Sequence, residues 1–365
     1  MPDASGNLLR TCLHDKHLAA GAEMSVCDGW EMPRSYGDPA GEYRALHERA
    51  AVTDLSCVGR IRIRGDGALD LLEHLCTADV TRQEDDTAVY TLLCNEGGGI
   101  VDHGFVLRLD GYWLLTCSPG RREAVLGHLG ARAEAFGAKV DDQTLKTSML
   151  AVVGPAAGGI LDAVLPQRTS GLARGAVKAG SMLVARYVAM RAGATRLWSL
   201  EVMLPNLLTG AAWGFITKKA QANALPPAGL AAREALRIEA GICRWGREID
   251  EGVDPVTAGL EAAVDFGKDF LGAEAVRAVR DRGPARRRVR LRLSGDAPEL
   301  PARGAAVVAA DGRPIGEITS AAFSPALGGT IALAYVDAAA QVGTEVSVRA
   351  SAGRSVPAEL LRAPA

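Results

Sequence analysis

The sequence predicts an α+β protein: two α/β units with antiparallel sheets, followed by a C-terminal β-barrel or jelly-roll-like domain. Three observations carry this. Strand-like runs between residues 88 and 118 follow one another across short turns, as antiparallel neighbours do. A second set of strands and helices begins at "SMLAVVGPAA". From about residue 284 helical spacing gives way to short strands separated by Gly, Asp and Pro. At ~100–200 residues per domain, 365 residues allow two or three domains.

Taken in order, "GEYRALHERAAV" at 41–52 places Tyr43, Leu46 and Ala50 on one helical stripe. "GRIRIRGDG" alternates Arg60, Arg62 and Arg64 with Ile61 and Ile63, a strand running into a turn. "GALDLLEHLC" resumes helical spacing. "AVYTLLCN" reads as a strand, Gly97, Gly98 and Gly99 turn the chain, and "IVDHGFVLRL" returns. "GYWLLTCS" is a third strand, and the stretch after Pro119 is a helix. These elements form one unit from about 51 to 144. In the second unit "SMLAVVGPAA" is a buried strand with a helix behind it, and "AGSMLVARYVAM" and "LWSLEVMLP" are further strands. "PPAGLAAREALRIEAGI" is a helix with Pro227 near its start and Gly241 near its end. The runs "RRVRLRLSG", "AAVVAADGRPIGEITS", "TIALAYV" and "EVSVRA" make the all-β domain.

Apolar residues are 48% and charged residues 23% of the chain, with a net charge of −2 spread along it. That composition belongs to a globular protein and argues against a general electrostatic nucleic-acid surface. Arg286, Arg287, Arg288, Arg290 and Arg292 alternate with Val289, Leu291 and Leu293, which reads as the solvated face of a strand, with a phosphate or carboxylate contact as the alternative. The seven cysteines are odd in number and include no Cys-x-x-Cys pair, so reduced thiols in a cytoplasmic protein are expected, without a metal site. "MPDASGNLLRTCLHDKH" lacks the apolar core of a secretory signal, and no stretch approaches ~18 uninterrupted apolar residues. No membrane partner is expected.

Three places could carry chemistry. After the glycines, strand alternation puts Asp102 on one face and His103 on the other. Asp102 reads either as a hairpin acid in solvent or as a carboxylate held to anchor a cationic nitrogen or act as a base. Acids in turns are common, which favours the first reading on spacing alone. Arg233 and Arg237, four apart, share a helix face, either as solvated arginines or with Arg237 paired to a neighbouring acid, or else as an anion clamp. The first two are favoured. Glu201 is a lone acid in the apolar run "WSLEVMLP". It either faces solvent or accepts hydrogen bonds from a flat ligand with adjacent N–H groups, and alternation leaves the two even. No dinucleotide or phosphate-loop sequence occurs, and no nucleophile lies beside a base.

Together these segments resemble the glycine cleavage T-protein (aminomethyltransferase) family over nearly the whole chain. The resemblance rests on "HLAAGAEMSVCDGWEMPRSYG", "LHERAAVTDLSCVGRIRIRGDGA", "YTLLCNEGGGIVD", "LAVVGPAA", "GLAAREALRIEAGICRWGREID", "DPVTAGLEAAVDFGKDFLG" and "GEITSAAFSPALGGTIALAYV", in the family order. It implies a three-domain cloverleaf: residues 1–50 with 145–270 as the folate-binding domain, 51–144 inserted, and 275–365 as the barrel. It implies tetrahydrofolate, with Asp102 near the reactive folate nitrogens, the glycines letting the chain approach the folate, Glu201 at the pterin edge, and Arg233 and Tyr90 as further contacts. The expected activity is transfer of a methyl or aminomethyl group from a small donor to tetrahydrofolate.

The chain departs from the family in places. Where glycine cleavage T-proteins carry Arg-Thr-Gly-Tyr-Thr-Gly-Glu-Asp-Gly before the Phe-Glu-Ile strand, it has "ARYVAMRAGATRLWSLEV". His103 stands for the second acid of an Asp-Asp pair, an extra acid/base candidate, and Cys117 for a folate-neighbouring asparagine. The changed loop resembles the branch of folate-dependent demethylases, so a lipoyl carrier protein is not an expected partner. "GKDFLG" lacks the cysteine of the Fe–S-linked relatives. Two alternatives remain: a folate-independent enzyme using Asp102 and His103 as acid and base, and a non-catalytic folate-binding protein.

Overall fold

Strands with apolar residues on both faces need cover on both sides, and the run Thr147–Val153 (TSMLAVV) is one. It lies inside a five-stranded sheet in the order Val177–Met182, Ala185–Met190, Ser199–Pro205, Thr147–Val153, Ala51–Asp54, antiparallel at every pair. The structure, a computed structural model, describes residues 8–165, 168–182, 185–192, 195, 197–219, 221–294, 299–349 and 355–362. On one face of this sheet Leu150, Val152, Leu200 and Leu204 pack with Leu161, Trp213 and Leu13. On the other, Met149, Ala151, Met190 and Met203 meet Leu107, Leu109 and Leu114.

Those three leucines belong to a second five-stranded sheet, ordered Thr87–Cys94, Ile100–Leu109, Tyr112–Cys117, Gly59–Arg64, Lys139–Asp142. The other face of that sheet carries the buried Ile61, Ile63 and Leu115. "AGSMLVARYVAM", read as one strand, is a two-strand hairpin, with Val177 opposite Met190 and Met182 opposite Ala185. The helix expected at 41–52 stops at Glu48, and its last residues start the strand Ala51–Asp54.

The C-terminal strands close into a six-stranded barrel: Arg286–Leu293, Gly329–Asp337, Pro314–Ser324, Ala306–Val308, Glu345–Arg349, Ser355–Arg362. Closure leaves no free sheet edge, and Val289, Leu291, Ile318, Ala334, Val348 and Leu360 fill its centre. The arginine run is a solvated face only at its ends, where Arg286 and Arg292 are exposed. Arg288 is buried and donates from Nε to Ala258 O at 2.7 Å and from Nη1 to Gly241 O. Arg290 Nη1 donates to Glu239 O at 3.1 Å. Both cations therefore satisfy carbonyls at the C-terminal end of the helix Leu230–Ala240, where positive charge is favoured. Gly241 closes that helix at φ 70°, and Ile242 N returns to Arg237 O at 2.8 Å.

Packing divides the chain into two compact units. The first holds residues 1–73, 80–91 and 103–233, and the second 74–79, 92–102 and 234–365. The divisions fall inside long elements, between Asp102 and His103 and between Arg233 and Glu234. No helix among the described residues is long and apolar enough to cross a membrane.

Candidate functional site

In the second unit, the glycine turn at 97–99 has a structural explanation. Asn95 Oδ1 accepts from Gly99 N at 3.0 Å, and Gly98 N donates to Asn95 O at 2.9 Å with Gly98 at φ 82°. A Cβ on Gly99 would overlap the Glu251 carbonyl, and one on Gly98 would crowd Ala275 and Val276. Gly98 and Gly99 thus clear room for the chain's own atoms at Glu251, Ala275 and Val276. Gly99→Ala is expected to lower stability by about 2–4 kcal/mol, the range for a forced backbone shift in a packed site. Denaturant titration checks this. Asp102, three residues on, is fully buried in a strand, so it is not a hairpin acid in solvent.

Glu201 is set by the first sheet. Its strand pairs it with Ala151 on one side and Met190 on the other. Both are in the apolar cluster between the sheets, so the carboxylate lies on that inward face with Ser199 and Met203. It is half-buried and makes no hydrogen bond among the described residues. Burial pushes its pKa up to about 7, with the Arg233 guanidinium pulling the other way. Arg233 is also half-buried and makes no side-chain hydrogen bond among the described residues. Its helix partner Arg237 is engaged elsewhere, with Glu234 and, at 2.7 Å, Glu248. The two arginines therefore do not act as a clamp.

The same inward face carries an aromatic group from the second sheet. His103, Phe105, Leu107 and Leu109 alternate on one side of their strand, and the last three pack in the inter-sheet cluster. His103 Nδ1 lies 2.7 Å from the Tyr90 hydroxyl, with the rings edge to face at 5.8 Å. Tyr90 meets Phe105 at 5.5 Å. Phe105 was not singled out from the sequence, although its spacing from His103 carries the signal. Cys117 sits elsewhere. It pairs in register with Gly59, where a Cβ would meet its thiol, on the face of the sheet that holds Leu115 and Ile61.

The inter-sheet face of the first unit thus carries Glu201, with Arg233 as its near charge, and Phe105, with Tyr90 against its ring and His103 bonded to Tyr90. A half-buried carboxylate without donors suits a flat heterocycle with adjacent N–H groups, since it accepts two parallel hydrogen bonds. An aromatic and methionine surround suits the ring faces. By this test the residues fit a pterin. The elevated Glu201 pKa also sets a pH dependence. A carboxyl group with a raised folded-state pKa keeps its proton while the unfolded chain loses it, so stability falls as pH rises from about 4.5 to about 7. Glu201→Gln is expected to remove that slope and to be more stable at pH 8 by on the order of 1–2 kcal/mol. Urea denaturation across pH measures it. Among the described residues no cluster of His, Cys, Asp or Glu could hold a metal ion.

Residues 13–268 match the GCVT N-terminal domain, and residues 286–365 match the glycine cleavage T-protein C-terminal barrel domain. The chain is 34% identical to an aminomethyltransferase of Rubrobacter xylanophilus, over 99% of this chain and 95% of that one. It is 36% identical to an aminomethyltransferase of Streptomyces coelicolor, over 95% of each. The crystal structure of the glycine cleavage system aminomethyltransferase T from Bartonella henselae superposes with a TM-score of 0.90 at 28% identity, covering 98% of both chains. The chain belongs to the glycine cleavage T-protein (aminomethyltransferase) family, enzymes that transfer one-carbon groups.

Proposed function

We propose that the protein transfers an aminomethyl-type one-carbon unit to tetrahydrofolate. The observation that carries this is Glu201, a desolvated carboxylate on an apolar, aromatic-edged face, with no hydrogen-bond donor among the described residues and Arg233 as its near charge. Glu201 would accept from the N–H edge of the pterin, Arg233 would offset the charge of the carboxylate or of an anionic ligand group, and Tyr90 and Phe105 would border the ring. When bound, tetrahydrofolate supplies the nitrogen that takes up the one-carbon unit. Asp102 is assigned the reactive carboxylate. A fixed anion stabilises positive charge developing on that nitrogen or removes its proton, and such a group needs positioning more than nucleophilicity.

The names of the relatives support an aminomethyl donor. A second reading, a methylated small-molecule donor, is favoured by the segment before the Glu201 strand. There Arg191 stacks over Trp198 at 4.7 Å and donates to Ala192 O and Ser199 O. Gly193, Ala194 and Arg196 of that segment lie outside the described residues. Assaying lipoyl-bound aminomethyl and methylated amine, ether and thioether donors, each with and without tetrahydrofolate, tests both readings. Turnover is expected only with the folate, and the donor that turns over decides between them. Turnover without folate would overturn the proposal.

A further inference from the structure

We propose that tetrahydrofolate binding is proton-linked through Glu201: the ligand-free site holds a neutral carboxyl group, and the N–H edge of the pterin converts it to a carboxylate with release of one proton to solvent. The inference rests on the folate reading above and adds to it a control of the same site by pH.

Glu201 lies in register between Ala151 and Met190, with Met203 two residues on along the same face. All three neighbours belong to the apolar cluster between the sheets, and none of their side chains can donate a hydrogen bond. A carboxylate kept from water and without donors costs more than the acid, so such a group holds its proton. Burial accordingly pushes Glu201 up to about 7, against the pull of the Arg233 guanidinium. The other titratable groups around this face are neutral or engaged elsewhere. Burial pushes the Cys57 thiol near Arg233 up to about 12 and holds the Tyr112 hydroxyl above its usual range. Tyr90 and His103, on the facing sheet, are bonded to each other. Arg191 turns to the Ala192 and Ser199 carbonyls, Asp54 accepts from Thr11 and Ser56 N and lies 3.0 Å from His17, and Glu234 and Arg237 pair on the Arg233 helix. Strand Thr147–Val153 brings no titratable side chain, and Arg186 and Tyr187 stand at the start of a strand whose last residue, Met190, is the one paired with Glu201. Arg233 is thus the charge that Glu201 answers to. A ligand edge with adjacent N–H groups supplies the two donors this environment lacks, which makes the carboxylate the favoured form and expels the proton. The ligand-free group holds about nine-tenths of a proton at pH 6, about half at pH 7 and about one-tenth at pH 8. Affinity therefore rises with pH, by about tenfold from pH 6 to pH 8, and levels off above.

Calorimetric titration of the full chain with tetrahydrofolate at pH 7, in phosphate and in Tris at equal ionic strength, counts the protons released, because the two buffers take up a proton with different heats. The wild type is expected to release about half a proton per ligand and to gain about tenfold in affinity from pH 6 to pH 8. Glu201→Gln is expected to bind more weakly, to release no proton and to have an affinity flat across that range. His103→Gln is expected to keep the wild-type count, which separates the carboxyl group from the imidazole on the facing sheet. At pH 8, Arg233→Met is expected to release clearly more than the wild type's about one-tenth of a proton, because the pull on the carboxyl group is gone. A residue that only shaped the pocket would leave that count unchanged, and this result would overturn the inference. If the wild type binds no tetrahydrofolate, the folate reading fails. If it binds without proton release and with an affinity flat in pH, this inference fails while the folate reading stands. Release that persists in Glu201→Gln, or that disappears in His103→Gln, would also overturn it.

Discussion

Asp102→Asn is expected to lower turnover by about 10²–10⁴-fold while leaving tetrahydrofolate affinity within about threefold. The change keeps the shape of the side chain and removes its charge. Charge is what the proposed step uses, because a neutral amide neither takes a proton nor balances a developing cation. Asp102 is fully buried within a regular strand, so the replacement sits in a rigid frame and its effect is not diluted by solvent. Single-turnover kinetics at saturating folate would separate chemistry from binding. A variant that lost affinity and rate in equal measure would mean that Asp102 holds the ligand and does not serve the reaction.

The second large effect is on stability. Glu248→Ala is expected to destabilise the second unit by about 3–5 kcal/mol. Its carboxylate is entirely buried and accepts from Arg237 at 2.7 Å, Arg244 N at 3.0 Å, Thr319 at 2.7 Å and Ser320 at 2.6 Å. Its own carbonyl accepts from Tyr335 at 2.7 Å. Removing the carboxylate leaves the mostly buried Arg237 guanidinium with Glu234 as its one acidic partner and takes an acceptor from Thr319 and Ser320, between the helix Leu230–Ala240 and the barrel strand Pro314–Ser324. The measurement is urea unfolding followed by the fluorescence of Trp245. A loss below about 1 kcal/mol would show that water replaces the carboxylate, and the assigned burial would be wrong.

Much of the fold was legible because strand alternation and turn residues are local signals. The three strands from Thr87 to Cys117, the helix ended by Gly241 and the closing barrel all follow from them. Other features depend on partners distant in sequence. The run from Arg286 to Arg292 has the alternation of a solvated strand face, yet Arg288 and Arg290 turn to helix-end carbonyls that no local pattern reveals. The three glycines signal close approach without saying what approaches, and the structure supplies Glu251, Ala275 and Val276. For Glu201, alternation left an even choice, and the pairing with Ala151 and Met190 resolves it toward the inward face. The same alternation separated His103 from Asp102, but its hydrogen bond to Tyr90 depends on how two strands are registered.

The most direct measurement is calorimetric titration of tetrahydrofolate into the wild type and into Glu201→Gln at pH 8, with melting temperatures recorded for both. A bound folate that loses about tenfold or more in affinity in the variant, while the variant melts no lower, is the result expected if Glu201 is the acceptor for the pterin. Equal affinity in the two proteins would contradict the account.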